Sequence, residues 1–422
     1  MSTTSSLRLG ALALCIAALS TLAACSKTPD NTSVDARTST PDQIAHGRYL
    51  AKAADCAACH TSPGGAPFAG GVRLGSPFGT FYGTNITPDP VHGIGKWTAA
   101  EFYKALHDGV TPDGQLYPAM PYTSYRTMTR ADSDDIYAYL MAQKPAAVPN
   151  LKPDLKFPFN MRFAVMFWNM LFLKDSLPDA SVGTSADWTR GKYLANALGH
   201  CAECHTPRGA FGQMNGAKAL HGSDLGRVVP PDITPAALVA LVARGWTGAD
   251  LQTFFATGIS RQGPAFGEMH PVVYLSTQYL SPGDLRAMSV YLLGDAPPPP
   301  TPVQPGSADA AQVAAGRNTY VAVCAGCHGL GGEGKPHVSV SMQGSSTLRQ
   351  ADPHNMLVAM LDGVEASAFP GTESLQAMPA FAKTLNDEEL AQLANYLRSG
   401  WGGQPGDVTA AKVKALRDAP SH

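Results

Sequence analysis

The chain of 422 residues carries the pattern Cys-x-x-Cys-His three times. Two thiols three residues apart reach neighbouring vinyl groups on one edge of a porphyrin, and the His that follows lies under the metal. The spacing therefore predicts three covalently bound haems c. The attachment cysteines are Cys56, Cys59, Cys201, Cys204, Cys324 and Cys327, and the proximal iron ligands are His60, His205 and His328.

A single copy of this pattern would also fit half of a zinc site or a thioredoxin-like redox pair. Three copies are hard to explain in either way. The chain has eight cysteines, and only Cys15 and Cys25 lie outside the motifs. No cysteine is therefore left to form a structural disulfide or to complete an all-cysteine zinc site.

The second axial ligand decides between electron transfer and catalysis, because a Met thioether raises the potential and closes the iron to other ligands. Each repeat has a Met in an equivalent place before its last helix: Met120, Met269 and Met378. A Pro after Met120 and after Met378 stiffens these two loops. Met128 is the chief rival of Met120, and His270 beside Met269 leaves a His/His haem as the alternative.

Three His/Met haems leave no open coordination position and no acid–base constellation. The sequence therefore predicts electron relay, with no catalytic residue in this chain. A haem enzyme of the peroxidase type is the alternative from another class, and it would need one iron with an open or labile position.

The elements that must position these ligands repeat with the motifs. A helix precedes each motif, and an amphipathic helix carrying Tyr-Leu follows each Met. This order resembles the class I cytochrome c fold, in which a small residue on the first helix lets an aromatic residue of the last approach closely. We expect an all-α chain of three tandem domains with these contacts at Gly47 and Tyr139, Gly191 and Tyr291, and Gly316 and Tyr396.

Composition shifts set the predicted boundaries. The cytochrome c domains are expected at residues 41–144, 186–295 and 308–401, with an aromatic connector at 145–185, a Pro-rich linker at 296–307 and a C-terminal tail at 402–422. The connector is apolar over residues 163–173, which is too short to span a membrane. We expect it either to brace the first two domains or to expose a patch for a partner subunit or the membrane surface.

Trp97 and Trp246 occupy equivalent places in the first two repeats. In cytochromes of this type a Trp often binds a haem propionate. Both residues are therefore candidates for that contact, with plain core packing as the alternative.

The N-terminus has the features of an export signal, with Arg8 ahead of a mostly apolar segment. Residues 22–25, Leu-Ala-Ala-Cys, resemble the lipobox of bacterial lipoproteins. This resemblance implies cleavage after residues 1–24, lipidation of Cys25 and a flexible tether at 25–40, with an ordinary signal peptide as the alternative. The expected location is the periplasmic face of the cell membrane, the inner membrane in preference to the outer. The net charge of −2 gives no reason to expect nucleic acid as a partner.

Longer segments resemble the triheme cytochrome c subunits of bacterial membrane-bound dehydrogenases for alcohols, gluconate, sorbitol and related polyols. The segments are CAACH, TNITPDP, HGIGKWT and LYPAMPYTSY in the first repeat, CAECHTPRGAFG and STQYLSPGDL in the second, and MPAFAKTL and NYLRSGWG in the third.

The resemblance implies a partner subunit that carries a quinone or flavin cofactor and donates electrons. It implies ubiquinone or a downstream cytochrome or oxidase as the acceptor. The cytochrome subunit of a molybdenum-containing hydroxylase for aldehydes or N-heterocycles is the alternative within the same class.

Overall fold

The computed structural model describes residues 39–175, 179, 183–234, 244–300 and 302–420. The signal at 1–24, the lipidation prediction at Cys25 and almost all of the tether at 25–40 lie outside these residues. Within them, no helix is both long enough and apolar enough to cross a membrane.

Each repeat is built around one pair of crossing helices. The helix ahead of each haem motif packs against the helix that ends the repeat. The three pairs are Pro41–Ala53 with Arg130–Met141, Ala186–Lys192 with Pro282–Leu293, and Ala310–Val323 with Asp387–Leu397.

Glycine permits these crossings. A Cβ added to Gly47 would lie 1.8 Å from the carbonyl oxygen of Asp135 and 3.0 Å from the Cβ of Tyr139, so no larger residue fits. The other two crossings repeat this geometry, and all three predicted contacts are confirmed. An added Cβ would lie 2.8 Å from the Cβ of Tyr291 at Gly191 and 2.9 Å from the Cβ of Tyr396 at Gly316.

The last helix of each repeat begins at a capping side chain. Ser281 accepts a hydrogen bond from the Asp284 N–H at 3.1 Å, and Asn386 accepts one from the Glu389 N–H at 3.0 Å. The first of the three helices begins in the same way, because the Thr129 side chain accepts from the Asp132 N–H.

Further helices connect these pairs or pack beside them. They are Cys56–His60, Ala99–Asp108, Tyr122–Tyr125, Val165–Phe172, Ala202–His205, Gly248–Thr257, Met269–Pro271, Ala325–His328, His354–Asp362 and Ala410–Asp418. Among the described residues, the segments with π-helical hydrogen bonding are Tyr193–Leu198, Val272–Ser276 and Arg398–Gly402. The 3-10 turns there are Arg162–Ala164, Gly216–Lys218 and Thr277–Tyr279.

Short antiparallel strands accompany the helices, so the all-α prediction omits part of the fold. The strands are too short to show an alternating pattern in the sequence. One sheet has the order Arg73–Ser76, Gly79–Tyr82, Asp154–Leu155; two-stranded pairs join Val110–Thr111 to Gly114–Gln115, Ile259–Ser260 to Gly263–Pro264, and Ser367–Ala368 to Ser374–Leu375.

The connector packs against the first two repeats, as the brace prediction expects. Its strand Asp154–Leu155 extends the hairpin of the first repeat, and its helix Val165–Phe172 contacts both of the first two repeats. The other face of that helix is exposed.

The Pro-rich linker and the tail both pack on the third repeat. The Gly306 N–H donates to the carbonyl of Ser399 at 2.9 Å. Val413, on the helix Ala410–Asp418, is fully buried in the same core as Leu390. The predicted boundary at residue 401 therefore falls inside one packed unit.

Candidate haem sites

The imidazole rings of His60 and His205 are held by the same type of hydrogen bond. His60 Nδ1 lies 2.5 Å from the carbonyl oxygen of Thr84, and His205 Nδ1 lies 2.7 Å from that of Pro231. A carbonyl can only accept, so Nδ1 carries the proton and Nε2 keeps its lone pair. Burial lowers the pKa of both rings, which favours the neutral form that binds iron.

A left-handed glycine sets up this arrangement. The Gly70 N–H donates to the carbonyl of His60 at 2.8 Å, and a Cβ on Gly70 would lie 2.6 Å from the carbonyl carbon of Thr84. The turn thus brings the backbone at Thr84 against the ring. Gly222 and Gly334 have the same positive φ and donate in the same way to the carbonyls of His205 and His328.

The third His differs from the first two. His328 Nδ1 is buried, and it has no hydrogen-bond partner among the described residues. Val340 takes the place of Thr84 and Pro231 opposite the glycine turn. The ring keeps the depressed pKa that burial causes, but its tautomer is not fixed by a carbonyl.

Four of the six motif thiols have strongly raised pKa values. Burial raises the pKa of Cys56 to about 12 and the pKa of Cys59 to about 11. It raises those of Cys201 and Cys324 to about 12 and about 11. Redox-active Cys-x-x-Cys pairs have lowered thiol pKa values, so the raised values of these four thiols do not fit that alternative.

The three methionines follow equivalent hairpins. Each hairpin comes after a helix that ends at a glycine. The N–H of Leu116 donates to Gly109, and that of Ala265 donates to Gly258, both at 2.7 Å, four residues before Met120 and Met269. Met378 exchanges backbone hydrogen bonds with Val364 at 2.8 and 2.9 Å, just after its own hairpin. All three side chains are at least partly exposed.

The two rival ligands are engaged elsewhere. Met128 is only 4% exposed and belongs to the apolar core. His270 Nε2 lies 2.8 Å from the carbonyl oxygen of Ala368, and its ring meets Phe369 edge-on. Both of these partners belong to the third repeat, so the His270 ring packs against that repeat.

Trp246 and Trp97 have different surroundings in the structure. The indole N–H of Trp246 donates to the hydroxyl of Ser346 at 2.9 Å in a buried position. This bond between the second and third repeats supports core packing over a propionate contact. Trp97 is at least partly exposed, and its carbonyl accepts from the hydroxyl of Tyr137 at 2.5 Å.

A carboxylate joins the first two sites, and the motif analysis missed it. Glu203, inside the second Cys-x-x-Cys-His, accepts from the hydroxyls of Thr123 at 2.6 Å and Ser124 at 2.9 Å. These two residues closely follow Met120. Arg208 forms an ion pair with the other carboxylate oxygen. The signal was a charged residue where the other two motifs have Ala58 and Gly326.

In the first two repeats, one tyrosine of each repeat forms hydrogen bonds with the other repeat. Tyr49, on the first helix of repeat one, donates to Asp284 at 2.6 Å and accepts from the Ser281 N–H at 3.0 Å. Tyr193, in the equivalent place of repeat two, bonds in the same way to Asp132 and to the N–H of Thr129. Each tyrosine therefore completes the N-terminus of the other repeat's last helix. In the third repeat the corresponding residue is the exposed Asn318.

Comparisons with known proteins agree with this geometry. Residues 42–140 and 311–397 match the family model described as cytochrome C oxidase, cbb3-type, subunit III. The chain is 37% identical over 406 residues to the cytochrome c subunit of the quinone alcohol dehydrogenase of Gluconacetobacter polyoxogenes, covering 90% of this chain and 86% of that protein. It belongs to the family of cytochrome c subunits of bacterial dehydrogenases. The resemblance seen in the sequence is thereby confirmed.

Two further relatives of this cytochrome subunit are named for other substrates. The fructose dehydrogenase cytochrome subunit of Gluconobacter japonicus is 36% identical, with 89% of this chain and 82% of that protein covered. A nicotinate dehydrogenase subunit of Pseudomonas putida is 39% identical over 84% of this chain, which spans 30% of that longer protein. Membership in the family means covalently bound haem c and electron transfer within a dehydrogenase complex.

Proposed function

We propose that this cytochrome subunit relays electrons through three haems c. The donor is the catalytic subunit of a dehydrogenase that oxidises an alcohol, polyol, sugar acid or aldehyde. The acceptor is ubiquinone or a downstream respiratory carrier. The observation that supports the proposal is the repetition of one arrangement, a motif His followed by a Met on an equivalent loop, three times among the described residues.

A haem c at each motif supplies an iron that takes up and returns one electron. The chain's own residues bind and orient it. Two thiols would hold each haem covalently, the motif His would bind the iron through Nε2, and Met120, Met269 and Met378 would supply the second protein ligand. The carbonyls of Thr84 and Pro231 keep two of the proximal rings in one tautomer.

The proposed location is the periplasmic face of the cell membrane, with acylated Cys25 as the anchor. The lipobox-like sequence supports this part of the proposal. Two or more acyl chains would give stable attachment, whereas one chain binds only marginally.

A second candidate donor is an enzyme that oxidises an N-heterocycle. The Pseudomonas putida relative, whose name is that of a nicotinate dehydrogenase, favours it. The two candidates share the same electron relay and differ only in the catalytic subunit. Purification of the complex in mild detergent, followed by substrate oxidation assays, separates them.

Ligand substitution tests the axial assignment. Met120→Ala should lower the midpoint potential of one haem by on the order of 0.1 V, within the range that axial ligands control, and should open that iron to CO. Met128→Ala is the matched control and should do neither. Pyridine haemochrome analysis should give three haems per chain in all variants.

Two results would contradict the proposal. If the CO-binding variant is Met128→Ala, the first axial pair is wrong. If the unmodified protein already binds CO, one iron is open and the peroxidase-type alternative gains support.

A further inference from the structure

The connector helix Val165–Phe172 turns an apolar stripe toward solvent. Side chains spaced three and four residues apart lie on one face of the helix and the turn before it. All of them are at least half exposed: Phe163 67%, Met166 53%, Phe167 50%, Met170 72% and Leu171 61%. A surface helix normally turns its apolar side to the core, so this orientation is inverted.

Specific contacts on the opposite face fix this orientation. Val165 is buried. The side-chain carbonyl of Asn169 accepts from the hydroxyl of Tyr122 at 2.7 Å. The indole N–H of Trp168 donates to the carbonyl of Phe211 at 2.9 Å. The helix is therefore held on two repeats by its polar groups, and rotating it to bury the stripe would break both bonds.

Basic residues flank the stripe. Lys156 and Arg162 precede the helix and Lys174 follows it, all at least partly exposed. Of the two acidic residues at 150–175, Asp175 is paired with Arg126 at 2.7 Å. The connector is thus locally cationic in a chain whose net charge is −2. Long basic side chains beside exposed aromatics suit the boundary between phospholipid headgroups and acyl chains.

We propose that this face, residues 156–174, is a membrane-docking surface that lies flat on an anionic phospholipid bilayer. At about 1.5 Å per residue the eight-residue helix is about 12 Å long, far too short to span the hydrocarbon. Its stripe enters the interface while the lysines and Arg162 meet the lipid phosphates. This surface is separate from the acyl anchor proposed at Cys25 and does not depend on the electron-relay role.

The test removes the acyl anchor from the full haem-loaded chain. Cys25→Ser cannot be acylated at that position. In this background the protein should cosediment with vesicles of 7:3 phosphatidylcholine and phosphatidylglycerol, less with pure phosphatidylcholine, and less at high salt. Adding Phe167→Ser and Met170→Ser should lower the partition constant by at least about tenfold, because each side chain buries a large apolar area.

A matched pair of substitutions controls for exposed apolar residues in general. Val91 and Val321 are 74% and 42% exposed and lie outside the connector. Val91→Ser with Val321→Ser should leave the partition constant unchanged. Unaltered haem spectra and circular dichroism would show that both double variants fold.

Three outcomes would overturn the proposal. One is a Cys25→Ser chain that does not bind vesicles. Another is equal binding by the connector variant and its parent. The third is loss of assembly with the dehydrogenase catalytic subunit in the connector variant without any change in vesicle binding, which would make that face a protein interface.

Discussion

Removing the Glu203 carboxylate should loosen the first repeat, although the substitution lies in the second. The carboxylate is 11% exposed and accepts two hydroxyl hydrogen bonds from the short helix Tyr122–Tyr125, which follows Met120. Hydrogen bonds to a charged group contribute about 1.5–3 kcal/mol each. Glu203→Ala also leaves the Ser124 hydroxyl, 1% exposed, without its acceptor. We expect the free energy of unfolding to fall by about 3–5 kcal/mol.

The milder Glu203→Gln keeps an acceptor and removes the charge. It should cost about 1–2 kcal/mol through weaker hydroxyl bonds and the lost ion pair with Arg208. Guanidinium unfolding measures both values. Hydrogen exchange of peptides covering residues 117–128 reports where the loosening occurs. Asp187→Asn breaks the exposed ion pair with Arg286 and should leave that exchange unchanged.

Two results would refute this reasoning. Unchanged hydrogen exchange over residues 117–128 in Glu203→Ala would show that the carboxylate does not stabilise the helix Tyr122–Tyr125. Thr123→Val and Glu203→Gln should also couple when combined. If their effects add to within about 0.5 kcal/mol, the two side chains do not interact.

Two other substitutions test the fold and a buried charge. Gly191→Ala should lower the free energy of unfolding by at least about 2 kcal/mol in chemical unfolding, because its Cβ would lie 1.9 Å from the carbonyl oxygen of Ala287. Gly400 has open space around it, so Gly400→Ala should not have this effect. Equal effects of the two substitutions would contradict the crossing geometry. Burial raises the pKa of Asp55 to about 8, so the folded state loses stability as pH rises from about 4 through 8. Asp55→Asn tolerates the left-handed backbone there and does not titrate, so its melting temperature should match the parent near pH 4 and exceed it above pH 8. A difference that does not vary with pH would exclude Asp55 as the cause.

The sequence predicts what depends on local spacing. The Gly47 and Tyr139 contact and its two repeats follow from residues that recur in register with the motifs, and the structure bears them out. The family also follows, because several specific segments recur together. The caps at Ser281 and Asn386 likewise depend on local sequence, because each capping residue directly precedes an acidic first turn.

What the sequence does not predict are contacts between repeats. Trp246 has the same sequence context as Trp97, yet its indole N–H donates to the hydroxyl of Ser346, a hundred residues further along the chain. Glu203, Tyr49 and Tyr193 bond to residues of another repeat, and no periodicity records such partners. The packing of Val413 into the third core likewise depends on a turn that brings a polar-looking tail back.

The hydrogen bonds of Tyr49 and Tyr193 to the other repeat also affect the order in which the two repeats can complete folding. The first repeat is complete in sequence by residue 144, but the tyrosine that finishes its last helix is Tyr193. During synthesis that helix start stays incomplete until the next repeat's first helix has been made. Tyr49 likewise lacks its Ser281 partner until that residue has been made. The two repeats therefore reach their final form together, while the third, with Asn318 at this place, is free of that requirement.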